Sequence, residues 1–548
     1  MDGIELPADV AVPRVEIPAT FNVAWWLCDR HVEQGHGAKV AIECGQLKVT
    51  YAEVSAHSNR FANLLRGLGL RREERVMMML LDSPSFIYAF LGAQKLGAVP
   101  IPTNTVLRAQ DYAYMLNDSR ARAVVISEAL LENLRGLDRS SLPYLETIIV
   151  DGRPEQDMLC LDQLMDGASS AFQVEPTGSD EPAFWLYSSG TTGFPKGAVH
   201  LHHDIVHTCE LYAKPILGIT EADRTFSVAK LYFAYGLGNG FTFPFSVGAT
   251  SILWPGPPTA ANVFEQIERY RPTLFFSVPT NYAMLLSHQR QGVDFDLSSV
   301  RLAVSAGEAL PKPIFERFLE RFNVEILDGI GSTEILHIFI SNRAGAVRPG
   351  SSGLVVPGYE ARLLDEDGNR SAQGEIGNLL VKGDSTCAYY WNKHERTKDT
   401  IEGHWIRTGD KYWQDPDGYY WYAGRADDMI KPGGIWVSPV EIENTLMEHP
   451  AVREAGVIGH RDADELDKPK AFVVLNDGYW ASADLALELQ TFVRSRIAEF
   501  KRPRWVEFID ELPKTATGKT QRFLLRDRDT GIDATKIHTA EPSSGPIS

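Results

Sequence analysis

The stretch FWLYSSGTTGFPKG, residues 184–197, decides how the rest of the chain is read. An apolar run over 183–187 gives way to Ser188, Ser189, Gly190, Thr191, Thr192 and Gly193, and then to Phe194, Pro195, Lys196 and Gly197. That pattern predicts a buried strand running into a flexible polar loop. Glycines let backbone N–H groups approach an oxyanion, hydroxyls add donors and a lysine supplies a point charge, so the loop suits a polyphosphate. A nucleoside triphosphate is the natural ligand. A P-loop would carry Ser or Thr after its lysine and open a helix, whereas Lys196 is followed by Gly197 and Ala198. The loop is instead expected to act as a mobile clamp over phosphates.

The 548 residues exceed what one core can hold and predict about three or four units of ordinary size. No apolar run approaches the ~20 residues needed to span a bilayer, so membrane insertion is not expected. The N-terminal MDGIELPADV is acidic and has no basic segment ahead of an apolar core, which argues against a secretory signal and for the cytoplasm. Five cysteines, scattered and without a CxxC pair, support neither a disulfide framework nor a zinc site. A net charge of -18 argues against nucleic acid as partner. Anionic ligands must then be held by local Lys and Arg side chains and backbone dipoles.

Along the chain, helical periodicity over 22–33 puts Trp25, Trp26 and Leu27 on the apolar side. Residues 40–43 and 47–49 read as paired strands, and Thr50 with Glu53 is a capping-box start for a helix through Leu68. Strand, helix, strand, helix and strand follow over 75–127, the rhythm of an α/β layer with a mostly parallel sheet. The rhythm resumes after the loop, with a helix at 203–212 and strands near 224–228, 250–253 and 273–278. From Gly353 to about Tyr422, short alternating segments with turn signals predict a β-rich subdomain. A further unit follows the charged, glycine-containing connection near Asp427, with helices at 438–448 and 485–500 and strands at 452–459 and 470–475.

Four more polar-glycine islands stand out: DGIGSTE at 328–334, TGD at 408–410, YAGRADDMIKPGG at 422–434 and PKTATGKTQR at 513–522. In this order and at these intervals they resemble the signature of the adenylate-forming superfamily of acyl-CoA and aryl-CoA synthetases, luciferases and peptide-synthetase adenylation domains. The resemblance spans nearly the whole chain. It implies an α/β fold with a large N-terminal domain, 1–426, of two α/β lobes plus the β-rich subdomain at about 353–422. A small mobile α+β C-terminal domain, 427–548, would rotate about a hinge at Asp427.

Site roles follow from the same resemblance, position by position. Ser188 to Gly193, with Thr191 and Thr192, match the phosphate loop, and Lys196 its lysine, set against the β and γ phosphates of ATP. Thr333 and Glu334 match the pair at the α-phosphate and Mg²⁺, a hard cation that takes carboxylate and phosphate oxygens. Asp410 and Arg425 match the ribose anchors, and Lys519 the catalytic lysine that reaches the reacting carboxylate. Where the family often stacks an aromatic residue on adenine, this chain has Ile330. Adenine is then expected to rest on aliphatic packing, on Gly329 and the main chain of Ala306, Gly307 and Glu308, and on an acceptor at Asp328.

Two segments, 229–250 and 329–342, resemble those of benzoate-CoA ligases within the superfamily and imply the carboxylate pocket. Ala234, Tyr235, Gly236, Gly238, Ile330, Gly331, His337 and Ile338 would be its walls, the small residues leaving a flat slot for one aromatic ring. The resemblance thus implies an ATP-dependent ligase that makes an aryl-AMP and passes the acyl group to coenzyme A, whose pantetheine would enter beside Gly433 and Gly434. Lys501, Arg502 and Arg504 are candidates for its phosphates. A standalone adenylation enzyme loading a carrier protein shares every motif, and a ligase for another small carboxylic acid, a luciferase-like oxygenase and a non-catalytic binding protein are further alternatives. A homodimer is left open.

Overall fold

The computed structural model describes residues 12–190, 193–292, 294–426, 428–430, 437–462, 467–514, 520–530 and 537–539. Strands Val99–Pro102, Arg75–Met79, Ala123–Ser127, Thr147–Asp151 and Leu159–Cys160 lie in that order in a five-stranded sheet with every neighbouring pair parallel. Ala123–Ser127 is buried along its whole length, as a parallel sheet covered on both faces requires.

A nine-stranded sheet forms the second lobe. Its centre runs Ile326–Gly331, Leu302–Ser305, Leu274–Ser277, Arg224–Ser227, Thr250–Ile252 and Val40–Cys44, each pair parallel, and antiparallel strands close both edges. Phe90 knits the two lobes together, its ring 5.6 Å from Phe184 and 5.5 Å from Phe241. The capping box forms as the sequence predicts: the Glu53 amide donates to Thr50 Oγ1 at 3.3 Å and the Thr50 amide to Glu53 Oε2 at 2.8 Å.

Four features differ from the sequence reading. Trp25 is exposed, its indole N–H donating to Glu33, while Trp26 and Leu27 are buried. Leu354–Val355 pairs with Ile340 and Ser341 in the nine-stranded sheet, so the separate five-stranded sheet of the β-rich region begins at Glu360. The strand Pro182–Gly190 returns as a second strand, Gly193–Leu201, which sets Lys196 directly across from Ser188. The helix expected over 485–500 is Ala483–Arg494: beyond it the Arg496 amide tightens to the Val493 carbonyl three residues back, and a short 3-10 turn, Glu499–Lys501, follows.

The C-terminal region packs the helices Pro439–Met447, Ala483–Arg494 and Arg522–Thr530 with a four-stranded sheet. Its own core is built from Ile442, Leu446, Val457, Val473 and Leu489.

Candidate active site

The hairpin over 182–201 is anchored by Phe184, Trp185 and Leu186, all buried, so its polar end is presented at a fixed place. There Ser188 Oγ donates to Glu334 Oε1 at 3.2 Å. Tyr390 OH donates to the same oxygen at 2.6 Å and accepts from Lys196 Nζ at 3.3 Å. The Lys196 ammonium also lies 4.3 Å from the Tyr390 ring centroid, within cation–π range. Burial pulls the Lys196 pKa down, and the Glu334 carboxylate acts against that shift. Loop residue, lysine and acid thus meet, through a tyrosine the sequence reading did not single out.

Thr333 and Glu334 follow the strand Ile326–Gly331 and are pinned from below. His200, fully buried, donates through Nε2 to the Thr333 carbonyl at 2.8 Å, while Nδ1 faces Asp204 at 2.7 Å. The Cys387 amide donates to the Glu334 carbonyl at 2.7 Å. His200 was also missed, and its four-residue spacing from Asp204 on a strand-to-helix junction was the available signal.

Asp410 and Arg425 face each other across two antiparallel strands, Trp405–Gln414 and Tyr420–Arg425. Arg425 Nη1 donates to Asp410 Oδ1 at 2.9 Å and to the Thr408 carbonyl at 3.0 Å. Gly409 between them has φ +75°, and a Cβ there would come within 2.7 Å of Arg425 Nη2, so the glycine of TGD serves both turn and close approach.

Asp328 ends the parallel part of its strand opposite Ser305, next to Ala306, Gly307 and Glu308. Burial pushes its carboxyl pKa well above the usual range, and Oδ1 is buried without a hydrogen-bond partner among the described residues. Ile330 is half-buried against the main core. Ligand sites in open α/β sheets lie at the carboxyl ends of parallel strands, which is where these residues gather.

Around the expected ring slot, Ala234 is buried and Tyr235 OH donates to the Val304 and Ser277 carbonyls at 3.1 and 3.2 Å. The His337 ring sits 5.5 Å from Tyr235, 5.4 Å from Tyr212 and 4.4 Å from Phe243. Burial lowers its pKa to about 3, so the ring is neutral near pH 7. Its Nε2 faces the Tyr235 carbonyl and Asn239 Oδ1, at 3.3 and 3.1 Å. The glycines are small for a different reason from the one expected. A Cβ on Gly236 would meet the Lys230 carbonyl at 2.1 Å, on Gly238 the His337 ring at 2.4 Å, on Gly331 the His337 carbonyl at 2.7 Å and on Gly329 the Ile340 carbonyl at 2.8 Å. Their missing side chains let neighbouring backbone and His337 close in, and Ile338 pairs opposite Gly331.

Thr191, Thr192, Asp427, Gly433, Gly434 and Lys519 lie outside the described residues, as does the side chain of Ser189. Gly190 and Gly193 pair across the mouth of the hairpin. Of the basic residues offered for coenzyme A, Lys501 is held by both carboxylate oxygens of Glu441 at 2.7 Å. Among the described residues, no helix is long and apolar enough to cross a membrane.

Comparison with known proteins shows the family of the chain. The model for AMP-binding enzymes matches residues 28–391, and that for the AMP-binding enzyme C-terminal domain matches 441–519. A benzoate–CoA ligase from Thauera aromatica is 49% identical over 516 residues, which cover 94% of this chain and 97% of that protein. Among solved structures, the anthranilate CoA ligase AuaEII in complex with anthranoyl-AMP superposes with a TM-score of 0.89 at 43% identity, covering 93% of this chain and 98% of that one. A benzoate CoA ligase from Burkholderia xenovorans LB400 gives 0.85 at 48% identity, covering 92% and 100%. The chain belongs to the AMP-binding enzyme family.

Proposed function

We propose that this chain is an ATP-dependent aryl-CoA ligase that activates benzoate or a close analogue. The observation that carries the proposal is the contact chain in which Ser188 and Tyr390 donate to Glu334 and Lys196 donates to Tyr390, in a chain 49% identical to a benzoate–CoA ligase. In the first step a carboxylate oxygen attacks the α-phosphorus of ATP, and pyrophosphate leaves. In the second, the thiol of coenzyme A attacks the carbonyl of the aryl-AMP, and AMP leaves.

The residues divide the work by charge and shape. Lys196 and the loop over 188–193 neutralise the β and γ phosphates, and Lys519 bridges the attacking carboxylate and the α-phosphate. Asp410 accepts from the ribose hydroxyls and Arg425 holds that carboxylate in place. Asp328, whose Oδ1 has no hydrogen-bond partner among the described residues, offers an acceptor to the adenine amino group, beside Ala306, Gly307, Glu308 and Ile330. Glu334 fits Mg²⁺: its Oε1 takes both hydrogen bonds and its Oε2 takes part in neither, leaving a carboxylate oxygen of the kind a hard cation prefers. When bound there, the ion would withdraw charge from the phosphates. The five free cysteines suit a reducing compartment such as the cytoplasm.

The test is a panel of benzoate, hydroxybenzoates, aminobenzoates, halobenzoates and short fatty acids, assayed for AMP release with and without coenzyme A. Release that needs both benzoate and coenzyme A supports the proposal, while an adenylate that accumulates despite coenzyme A favours loading of a carrier protein. For the slot, Ala234→Leu is expected to overpack a buried position at a cost of ~1–3 kcal/mol, which is about 5- to 150-fold in kcat/KM for benzoate. ATP binding should be unchanged. Benzoate turnover with an unaltered KM would remove Ala234 from the pocket.

The division into 1–426 and 427–548 has support on both sides of Asp427. The Ala426 amide donates to the Gly409 carbonyl at 3.0 Å, within the large unit, whereas the Asp428 carboxylate is bound by Arg522 and Arg526 of the small one. Proline fixes φ and removes a donor, so Asp427→Pro is expected to form aryl-AMP yet transfer it poorly to coenzyme A. Equal loss of both half-reactions would point to misfolding instead.

A further inference from the structure

Asp428, one residue beyond the hinge position, sits in an ion cluster that has no part in the site as described so far. Its backbone amide donates to the Arg425 carbonyl at 3.0 Å, in the turn that leaves the ribose-anchor strand. Its side chain is mostly buried and meets Arg522 Nη1 at 3.5 Å and Arg526 Nη2 at 3.0 Å. Both arginines lie on one face of the helix Arg522–Thr530, four residues apart. Arg522 also grips Glu443 with both Nη2 bonds, at 2.8 and 2.7 Å, and Nε at 3.2 Å. Glu443 Oε1 in turn accepts the Val457 amide at 2.8 Å.

That helix starts three residues after Lys519, and the two ends of the intervening segment are tied together. Lys514 and Thr520 form a β-bridge, the Gln521 amide donates to the Pro513 carbonyl at 2.8 Å, and Lys514 pairs with Glu454 at 2.8 Å. The base of the Lys519 segment is therefore mounted on the helix, and the helix is mounted on the residue next to the hinge. We propose that Asp428 is a positioning residue for adenylation: through Arg522 and Arg526 it fixes the base of the Lys519 segment relative to the hinge. The inference rests on Lys519 serving the first half-reaction.

The cluster is arranged so that Asp428 can be altered without stranding a charge. If its carboxylate is neutralised, Arg522 keeps Glu443 and Arg526 is 39% exposed, so neither cation is left buried and unpaired. The loss falls on placement, and a displacement of about 1 Å at a reacting group is worth up to ~10²-fold in rate. Asp428→Asn is therefore expected to lower kcat for aryl-AMP formation by roughly 10- to 100-fold with the KM values for ATP and benzoate little changed. Thioester formation from supplied benzoyl-AMP should stay near the wild-type rate. Arg526→Gln should show the same split, and the double variant should be no worse than the poorer single one. Asp428→Glu should recover part of the lost rate. A fall in both half-reactions together with a lowered Tm in each variant, or no fall in either, overturns the inference. Lys519→Ala is run alongside. Adenylation that survives that change overturns the underlying assignment of the lysine. Adenylation lost with Lys519→Ala but retained with Asp428→Asn and Arg526→Gln overturns only the positioning role.

Discussion

Lys519→Ala is expected to slow aryl-AMP formation by on the order of 10²–10³-fold, while benzoyl-CoA formation from supplied benzoyl-AMP proceeds at close to the wild-type rate. The asymmetry follows from charge. In the first half-reaction two anions, the substrate carboxylate and the α-phosphate, must be brought within bonding distance, and an ammonium between them offsets a repulsion that grows as water is excluded. In the second half-reaction the mixed anhydride already exists and the attacking group is a thiol, so the same ammonium has no pair of anions to bridge. If the C-terminal unit turns about Asp427, as proposed, a residue on it can serve one step and be withdrawn from the other. The measurement is pyrophosphate release for the first step and single-turnover thioester formation for the second. If both rates fall together, the lysine supports the fold or serves both steps, and a mechanism with two domain orientations loses its main support.

Local chemistry was legible in the sequence wherever neighbours along the chain decide it. Thr50 and Glu53 announced their helix because both partners of the capping box lie within one turn. Gly409 and Asp410 stand out in the sequence only through the TGD motif of the family resemblance; the positive φ of Gly409 and the pairing of Asp410 with Arg425 across adjacent strands are findings of the structure. Long-range pairing was less legible. Val40–Cys44 could be recognised as half of a hairpin, but nothing in 40–50 says that Ile42 will lie opposite Ser251 in the second sheet. Parallel register is set by which hydrophobic faces meet across hundreds of residues, and period-2 patterning carries no address. Tyr390 and His200 escaped for the same reason. Tyr390 is one aromatic in a run of three, and its value lies in Lys196 and Glu334, 194 and 56 residues away. The pocket glycines were read as space when they are points of close approach, because a missing side chain can serve either end and only the neighbours decide.

Glu334→Gln is expected to have the second largest effect, a fall in adenylation on the order of 10²-fold or more. The substitution is nearly isosteric, and an amide oxygen can still accept from Ser188 and Tyr390, so the local frame should stand and only the charge is removed. Two consequences follow from that missing charge. A carboxylate oxygen suited to Mg²⁺ is gone, so the Mg²⁺ concentration that half-saturates adenylation should rise at least about tenfold, the scale on which metal sites respond to lost support. Lys196 also loses the foremost of the groups that oppose the effect of burial, while Arg396 and Arg425 still add to the downward pull on its pKa. The sign is then fixed: the ammonium deprotonates at lower pH in the variant, so the alkaline rise in KM for ATP should begin at lower pH than in the wild type. Thioester formation from supplied benzoyl-AMP transfers no phosphoryl group and should be spared. An unchanged Mg²⁺ requirement with an unmoved pH profile would mean that Glu334 acts only through its hydrogen bonds to Ser188 and Tyr390, and the metal would have to be held elsewhere.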